Sequence, residues 1–310
     1  MSIHWITGGK GFIGQNLSRR LSGHNNTVIG LGHGNMTDAN LASCGLSGWL
    51  NSSVSAPSLE LLRAQYGLPE VVFHLAGGSA VAPSLRAPHE DFDRTVRSTA
   101  VLLEWLRLES PDTAVVYVSS AAVYGTEQVG PIAESAPAKP YSPYGFHKYC
   151  AELLVQEYAC NYGLPATIVR LFSVYGPGLR KQLLWDLAQR LHAHPALLEL
   201  GGTGDEVRDW LFIDDAVDLL ARAAGWASRS VPIVNGGTGT ATTVQETVSL
   251  LITALGQRAP SIFTGQVRVG DPKALVANVD RASKLGFTAG IDLATGMHLT
   301  ADWLKQAVLA

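Results

Sequence analysis

IHWITGGKGFIG, residues 3–14, reads as a short apolar strand, Ile3–Thr7, running into a glycine loop. Gly8, Gly11 and Gly14 are spaced GxxGxxG, and Gly9, Gly11 and Gly14 give GxGxxG in a second register. Phe12, Ile13, Leu17 and Leu21 then recur at helical spacing, so a helix over Phe12–Ser22 opens directly from the loop. Glycine lets the backbone turn sharply and approach a pyrophosphate, whose charge sits at the helix N-terminus. A glycine-rich turn with no ligand is the plainer alternative. The position between first strand and first helix favours a dinucleotide.

Outward from this stretch, short apolar runs alternate with helical patterns. Strands are expected at Thr27–Leu31, Val71–Leu75, Ala114–Ser119 and Ala166–Leu171, and helices at Leu59–Tyr66, Phe92–Leu108 and Tyr144–Tyr162, the last closed by Gly163. Such alternation implies an α/β fold with a doubly wound parallel sheet. After Gly176-Pro177-Gly178 the pattern loosens into helices Lys181–Leu191 and Asp215–Ala227 and a strand Val231–Asn235. The expected organisation is a dinucleotide-binding domain over residues 1–172, with 206–240 returning to it. Residues 173–310 then form mainly a smaller C-terminal substrate-binding lobe at the sheet's carboxyl edge.

Composition agrees. The 310 residues are 46% hydrophobic and 16% charged, enough for a core and too little charge for a disordered chain. Lys+Arg 23 against Asp+Glu 26 leaves no basic excess to attract nucleic acid. The three cysteines, Cys44, Cys150 and Cys160, form no CxxC pair, which argues against a disulfide framework or a cysteine zinc site. No run approaches the roughly 18 apolar residues of a membrane helix. The start lacks the pattern of a secretory leader. A cytoplasmic protein is expected, with no nucleic-acid or membrane partner.

An acid after the second strand usually holds the adenosine ribose 2′-hydroxyl. Val28-Ile29-Gly30-Leu31-Gly32-His33-Gly34 contains none, and Gly32 stands at that place. Lys10 and His33 are cations that could meet a 2′-phosphate, which tilts the expectation from NAD towards NADP. A solvated surface Lys10 is the alternative.

Tyr144 and Lys148 are spaced i, i+4, on one helix face. Free tyrosine titrates near ~10, and bringing it near ~7 takes about 4 kcal/mol. Lys148 and an oxidised nicotinamide are two positive charges able to supply this. Ser120, just past the strand at Ala114–Ser119, could hold the substrate oxygen. An amphipathic face with a snorkelling lysine would show the same spacing. Its combination with the glycine loop and the serine favours a catalytic set.

These segments together resemble the extended short-chain dehydrogenase/reductases of the nucleotide-sugar epimerase/dehydratase family. The resemblance rests on TGGKGFIG (7–14), PEVVFHLAG (69–77), VSSAAVYG (118–125), SPYGFHK (142–148), RLFSVYGPG (170–178), RDWLFIDD (208–215), NGGTGT (235–240) and RVGDP (268–272). It implies a Rossmann sheet and catalysis by Ser120, Tyr144 and Lys148. It implies NAD(P) contacts at Gly8, Lys10, Gly11, Phe12, Ile13, Gly14, Gly32, His33, Leu75, Ala76, Gly77, Ser119, Tyr144, Lys148 and Phe172. It also implies nucleotide-diphosphate-sugar contacts at Ser79, Ser173, Arg208, Arg268 and Asp271, and a homodimer built through a helix bundle that includes Tyr144–Tyr162. Guanidinium matches phosphate oxygens, so Arg208 and Arg268 suit a diphosphate. A surface ion pair is the plainer account of each.

Departures narrow the chemistry. The family's 4,6-dehydratases carry Asp-Glu directly after the catalytic hydroxyl residue, where this chain has Ala121 and Ala122. Alanine transfers no proton, which disfavours 4,6-dehydration. Ser173, Ser79 and Thr95 replace residues that are often Asn, or Asn or Lys, in the family, so the sugar preference differs or is open. A nucleotide-sugar 4-epimerase is the first reading. An NADPH-dependent reductase of a nucleotide 4-keto-6-deoxy sugar is the alternative, and a non-catalytic dinucleotide-binding regulator is a third class. Among the histidines, His74 in its apolar run reads as a core residue, and His192 and His194 lack the spacing of metal ligands. His147 reads as an ordinary helix position that could also tune the site. A helix over Met297–Leu309 reads as packing on the smaller lobe, with an interface as the alternative.

Overall fold

A computed structural model describes residues 2–23, 26–193, 197–266 and 271–309. The first part of the chain runs β1 (Ile3–Thr7), α1 (Phe12–Ser22), β2 (Thr27–Gly32), α2 (Asp38–Cys44), β3 (Gly48–Asn51), α3 (Ala56–Tyr66) and β4 (Val71–His74). It continues through α4 (Val81–Arg86), α5 (Pro88–Phe92), a π-helical turn at Asp93–Arg97, α6 (Ser98–Glu109), β5 (Ala114–Ser120), a 3-10 turn at Ala121–Tyr124, α7 (Pro143–Tyr162) and β6 (Ala166–Leu171). Then come β7 (Ser173–Tyr175), α8 (Gln182–His192), β8 (Leu198–Leu200), β9 (Val207–Arg208), β10 (Trp210–Phe212) and α9 (Ile213–Ala223). The remainder is β11 (Ile233–Gly236), β12 (Thr242–Thr243), α10 (Val244–Ala254), β13 (Ser261–Phe263), β14 (Ala274–Leu275), α11 (Asp280–Lys284) and α12 (Leu293–Leu309).

Seven strands form one sheet in the order β11-β6-β5-β4-β1-β2-β3. The pairings among β1 to β6 are parallel. After β1 the chain winds outward to β2 and β3, and from β4 it winds the other way. The crevice between β1 and β4 is therefore the topological switch point, where such sheets bind ligands. Strands covered on both faces need continuous apolar runs. All six residues of β6 are buried, and Trp5, Ile29, Val72, Val115 and Ile168 are almost wholly inaccessible.

Local signals explain the element ends. Ser55 and Ser58 form a reciprocal capping box at the start of α3. Ser142 caps α7 by accepting from Gly145 N, Pro143 occupies its first turn, and Gly163 ends it in the left-handed region at φ 78°.

Several features depart from the sequence reading, three of them near the dinucleotide crevice or at the chain's end. The helix α2 and strand β3 were not expected: each is short, and β3 ends in Asn51 with only Trp49 and Leu50 as apolar residues. The single helix expected over Phe92–Leu108 is divided by the π-turn, whose Thr95 side chain accepts from Gly78 N at 2.8 Å. The helix α12 begins at Leu293, four residues before the expected start.

The chain divides into two compact units. The first holds 1–125, 136–171 and 217–235, and the second holds 126–135, 172–216 and 236–310. The return to the first unit is thus narrower than 206–240, and the excursion 126–135 leaves it. In the second unit three small sheets pair β10 with β7, β12 with β9 and β14, and β13 with β8. Asp209 is fully buried there and accepts from Thr238, Gly239 and Ala277 backbone N–H groups, which pins the loop after β11. No helix among the described residues is long and apolar enough to cross a membrane.

Candidate active site

The glycine loop is folded as a close cradle. Gly8 has φ 72°, and a Cβ there would meet Leu75 and Ala76 backbone atoms at 3.1 Å. A Cβ on Gly14 would stand 2.5 Å from Gly8 O, so only glycine lets α1 begin this near the turn. Gly11 is the N-cap of α1 and supplies no side-chain cap. The first-turn amides of Phe12, Ile13 and Gly14 therefore lack an intrahelical acceptor and suit an anion. This open, positively poled helix start fits the pyrophosphate of a dinucleotide. Thr7 Oγ1 accepts from Ala76 N and bonds His74 Nδ1 at 2.7 Å, while His74 Nε2 meets Thr99 Oγ1 at 3.0 Å. Complete burial pushes the His74 imidazole down to about 3, so it is a neutral core residue.

At the far end of β2, Trp49 underlies Gly30 and Gly32 so closely that a Cβ on Gly30 would stand 2.7 Å from its ring. Trp49 Nε1 donates to Gly34 O, Gly34 N donates to Asn51 Oδ1, and Asn51 Nδ2 donates to Asn35 Oδ1. Lys10 Nζ reaches this turn and donates to Asn35 O at 2.9 Å. Lys10 Nζ also lies against Gly34 of this turn, and His33 is exposed on it.

Ser120 closes β5 and caps the 3-10 turn, its Oγ accepting from Ala122 N at 3.2 Å. Gly145 lets α7 press onto that turn, since a Cβ there would stand 2.6 Å from Ala122 O. The approach brings Tyr144 into hydrogen-bonding contact with the Ser120 hydroxyl. Tyr144 N donates to Ser84 Oγ at 3.0 Å, tying the helix start to α4. One turn on, Lys148 is buried, donates to Val118 O at 3.0 Å and lies 5.3 Å from the Tyr117 ring centroid.

Burial pushes the Tyr144 phenol above its usual value, opposed by the Ser120 hydrogen bond and reinforced by the Asp91 charge. Among these causes the Ser120 hydroxyl is the acidifying one, whereas the sequence pointed to Lys148 together with an oxidised nicotinamide. Burial also lowers Lys148 to about 8, against Asp91 and Glu152, which favour its proton.

Two polar groupings behind the set were not anticipated. Glu152, one turn beyond Lys148 on α7, is fully buried and pairs with Arg170 of β6 at 2.6 Å. Ser119 Oγ donates to the same carboxylate at 2.5 Å, so this expected cofactor contact has its hydroxyl committed to the core. The i, i+4 spacing of Lys148 and Glu152 was the available signal. The second grouping joins Asp91 of α5 to His147, Nδ1 to Oδ2, at 2.6 Å. No sequence pattern links these residues, and His147 is more than an ordinary helix position.

Of the expected substrate residues, Ser79 lies exposed between β4 and α4. In the second unit Arg208 donates to Val207 O and Pro272 O, and it approaches Asp271 at 3.4 Å. Burial lowers the Arg208 guanidinium, countered by Asp271 and Glu206. Ser173 N donates to Asp209 O, and Phe172 N donates to Gly236 O. Arg268 lies outside the described residues. A cleft of about 300 Å³ in this unit, lined by Trp210, Thr238, Thr242, Phe287 and Leu293, includes none of them.

Known proteins are similar to this chain along its length. The sequence model of the NAD dependent epimerase/dehydratase family matches residues 5–236. The UDP-glucose 4-epimerase of Mycolicibacterium smegmatis is 30% identical over 318 residues, covering 97% of this chain and 98% of its own length. The structure of UDP-glucose 4-epimerase with UDP-glucose from Thermotoga maritima is similar at a TM-score of 0.89 and 27% identity, covering 99% of each chain. UDP-glucuronic acid 4-epimerase from Bacillus cereus, solved with UDP-glucuronic acid and NAD, is similar at a TM-score of 0.88 and 26% identity, covering 98% of this chain and 99% of its own.

Proposed function

The chain belongs to the NAD-dependent epimerase/dehydratase family, and from that premise we propose that it inverts the C4 hydroxyl of a nucleotide-diphosphate sugar. The observation that carries this reading is the Ser120 hydroxyl close enough to act on the Tyr144 phenol, beside buried Lys148, with Ala121 and Ala122 following Ser120 in sequence. Such a set moves one proton at one oxygen and offers no carboxylate for eliminating water. The relatives act on, or are bound to, UDP-sugars, which supports the same substrate class here.

A bound nicotinamide supplies a hydride acceptor and donor for the sugar's C4. The residues of the chain do the rest. Tyr144 Oη, as the phenolate that Lys148 and a bound oxidised nicotinamide would favour against burial, takes the proton of the C4 hydroxyl and later returns one. Ser120 shares a hydrogen bond with that phenol and holds the same oxygen. Lys148 keeps a positive charge beneath the site. Phe12, Ile13 and Gly14 amides hold the pyrophosphate. Ser79, Ser173, Arg208 and Asp271 are proposed as contacts of the nucleotide sugar.

The test incubates the purified protein with UDP-glucose and with UDP-glucuronic acid and follows the C4 epimers by proton NMR. Interconversion without net change at 340 nm supports the reading. Consumption of added NADPH with a 4-keto sugar, and no interconversion, replaces it with a reductase.

The cofactor is NAD or NADP, and the turn after β2 supports a tilt towards NADP. It carries no acid at Gly32, and Lys10 reaches it. NADP is expected to bind at least as tightly as NAD, by calorimetry. Lys10→Ala is expected to weaken NADP by roughly tenfold, with NAD little changed. Equal losses for both would remove Lys10 from this role.

The protein is further proposed to be a homodimer. Phe146, Cys150, Leu153 and Cys160 lie exposed along one stripe of α7, with Phe146 at 51% and Leu153 at 46%. Leu153→Asp is expected to give a monomer in sedimentation velocity, and an unchanged dimer would move the interface elsewhere. A reducing, cytoplasmic setting suits the three free thiols.

A further inference from the structure

The carboxylate of Asp91 sits between two parts of the site that the reaction needs. Its Oδ2 accepts from His147 Nδ1 at 2.6 Å. Its Oδ1 packs so tightly on Gly78 that a Cβ there would collide with it. Gly78 follows Gly77, whose Cβ position lies 3.3 Å from Lys148 Nζ. His147 immediately precedes Lys148 in sequence and stands three residues after Tyr144. Asp91 is 6% exposed, and the edge of Phe92 covers His147, with ring centroids 5.6 Å apart.

We propose that Asp91, held in place by His147, is a positioning residue for this reaction: it locks the Gly77–Gly78 turn against α7 and sets the charge around Tyr144 and Lys148. The proposal rests on the epimerase reading for the roles of those two residues.

Other charges near the site are already balanced or distant. On α5 and the π-turn, His89 and Arg97 pair with Asp93, and Arg94 pairs with Glu90, all on the outer side. Arg86 of α4 is exposed. On α7, Glu152 pairs with Arg170 of β6 and adds to Asp91 in favouring the Lys148 proton, and Cys150 faces outward. From β5 the neighbour is the buried phenol of Tyr117. On the far part of α6, Glu104 pairs with Arg107. Asp91 is thus a buried carboxylate of the site with an imidazole, rather than an arginine, as its partner.

The sign of the effect follows. A negative charge favours an ammonium and disfavours a phenolate. Asp91 therefore raises both Lys148 and Tyr144. Asp91→Asn keeps the shape, removes the charge and lowers both.

The test reads Lys148 directly, by titrating [15Nζ]lysine resonances of the full-length protein, with Lys148→Met assigning the signal. The wild-type midpoint is expected near about 8. Asp91→Asn is expected to lower it by roughly 0.5–1 pH unit. His147→Gln, which retains a donor for Oδ2, is expected to stay near wild type, and His147→Leu is expected to shift downwards. The basic limb of kcat, measured with a UDP-sugar, should move with the midpoint. An unmoved midpoint in folded Asp91→Asn overturns the proposal. Should Asp91→Asn fail to fold, an unmoved midpoint in His147→Leu does the same. Absence of epimerisation in every variant while the midpoint moves would count against the epimerase reading and leave the charge coupling standing.

Discussion

Tyr144→Phe is expected to lower kcat by about 10²–10⁴, the usual worth of a general acid–base group. Cofactor affinity should be nearly unchanged. The phenol is the proton-moving group in contact with Ser120, and the ring itself packs at the head of α7. Phenylalanine keeps the ring and loses only the hydroxyl, so the helix cap at Ser142 and the bond from residue 144 N to Ser84 survive. Steady-state kinetics with a UDP-sugar and calorimetry with NAD measure the two quantities separately. Retention of wild-type turnover would falsify the proposed mechanism. Loss of turnover together with loss of cofactor would indicate a collapsed site.

The largest effect on stability is expected from Arg170→Met. Arg170 and Glu152 are 4% and 0% exposed at their side chains, and two of their hydrogen bonds run in parallel, at 2.9 and 2.6 Å. Removing one partner of a buried ion pair leaves an uncompensated charge and costs about 3–5 kcal/mol. For a chain of this size the unfolding midpoint should fall on the order of 10 °C. The double variant Arg170→Met/Glu152→Met removes both charges and should recover most of the loss. Thermal unfolding of the three proteins decides the matter. If the double variant is no more stable than Arg170→Met, the pair contributes through shape and not through charge.

The early fold was legible because strand and helix periodicities are strong there. The elements β1, α1 and β6 fall at their expected bounds, since apolar runs and the glycine punctuation coincide. Residues 38–51 were not legible, because a seven-residue helix and a four-residue edge strand are too short for periodicity to register. The π-turn was hidden for another reason. Its residues fit a continuous helix, and the sequence carries no sign of the tertiary bond from Gly78 N to Thr95 made there. In the site, Ser120, Tyr144 and Lys148 could be assembled from spacing and strand order. The state of the phenol could not, because it depends on burial and on Asp91, a residue more than fifty positions away along the chain. The Asp91–His147 pair escaped the sequence reading for the same reason.

The edge strand β11 comes late, after α8 and β7 to β10 have been made. During synthesis roughly sixty residues separate the end of β6 from the start of its neighbour. At ~5–20 residues per second, β6 shows an unpaired flank for about 3–12 s. A bare row of amides on a strand that is wholly buried in the finished fold is an invitation to pair with another nascent chain.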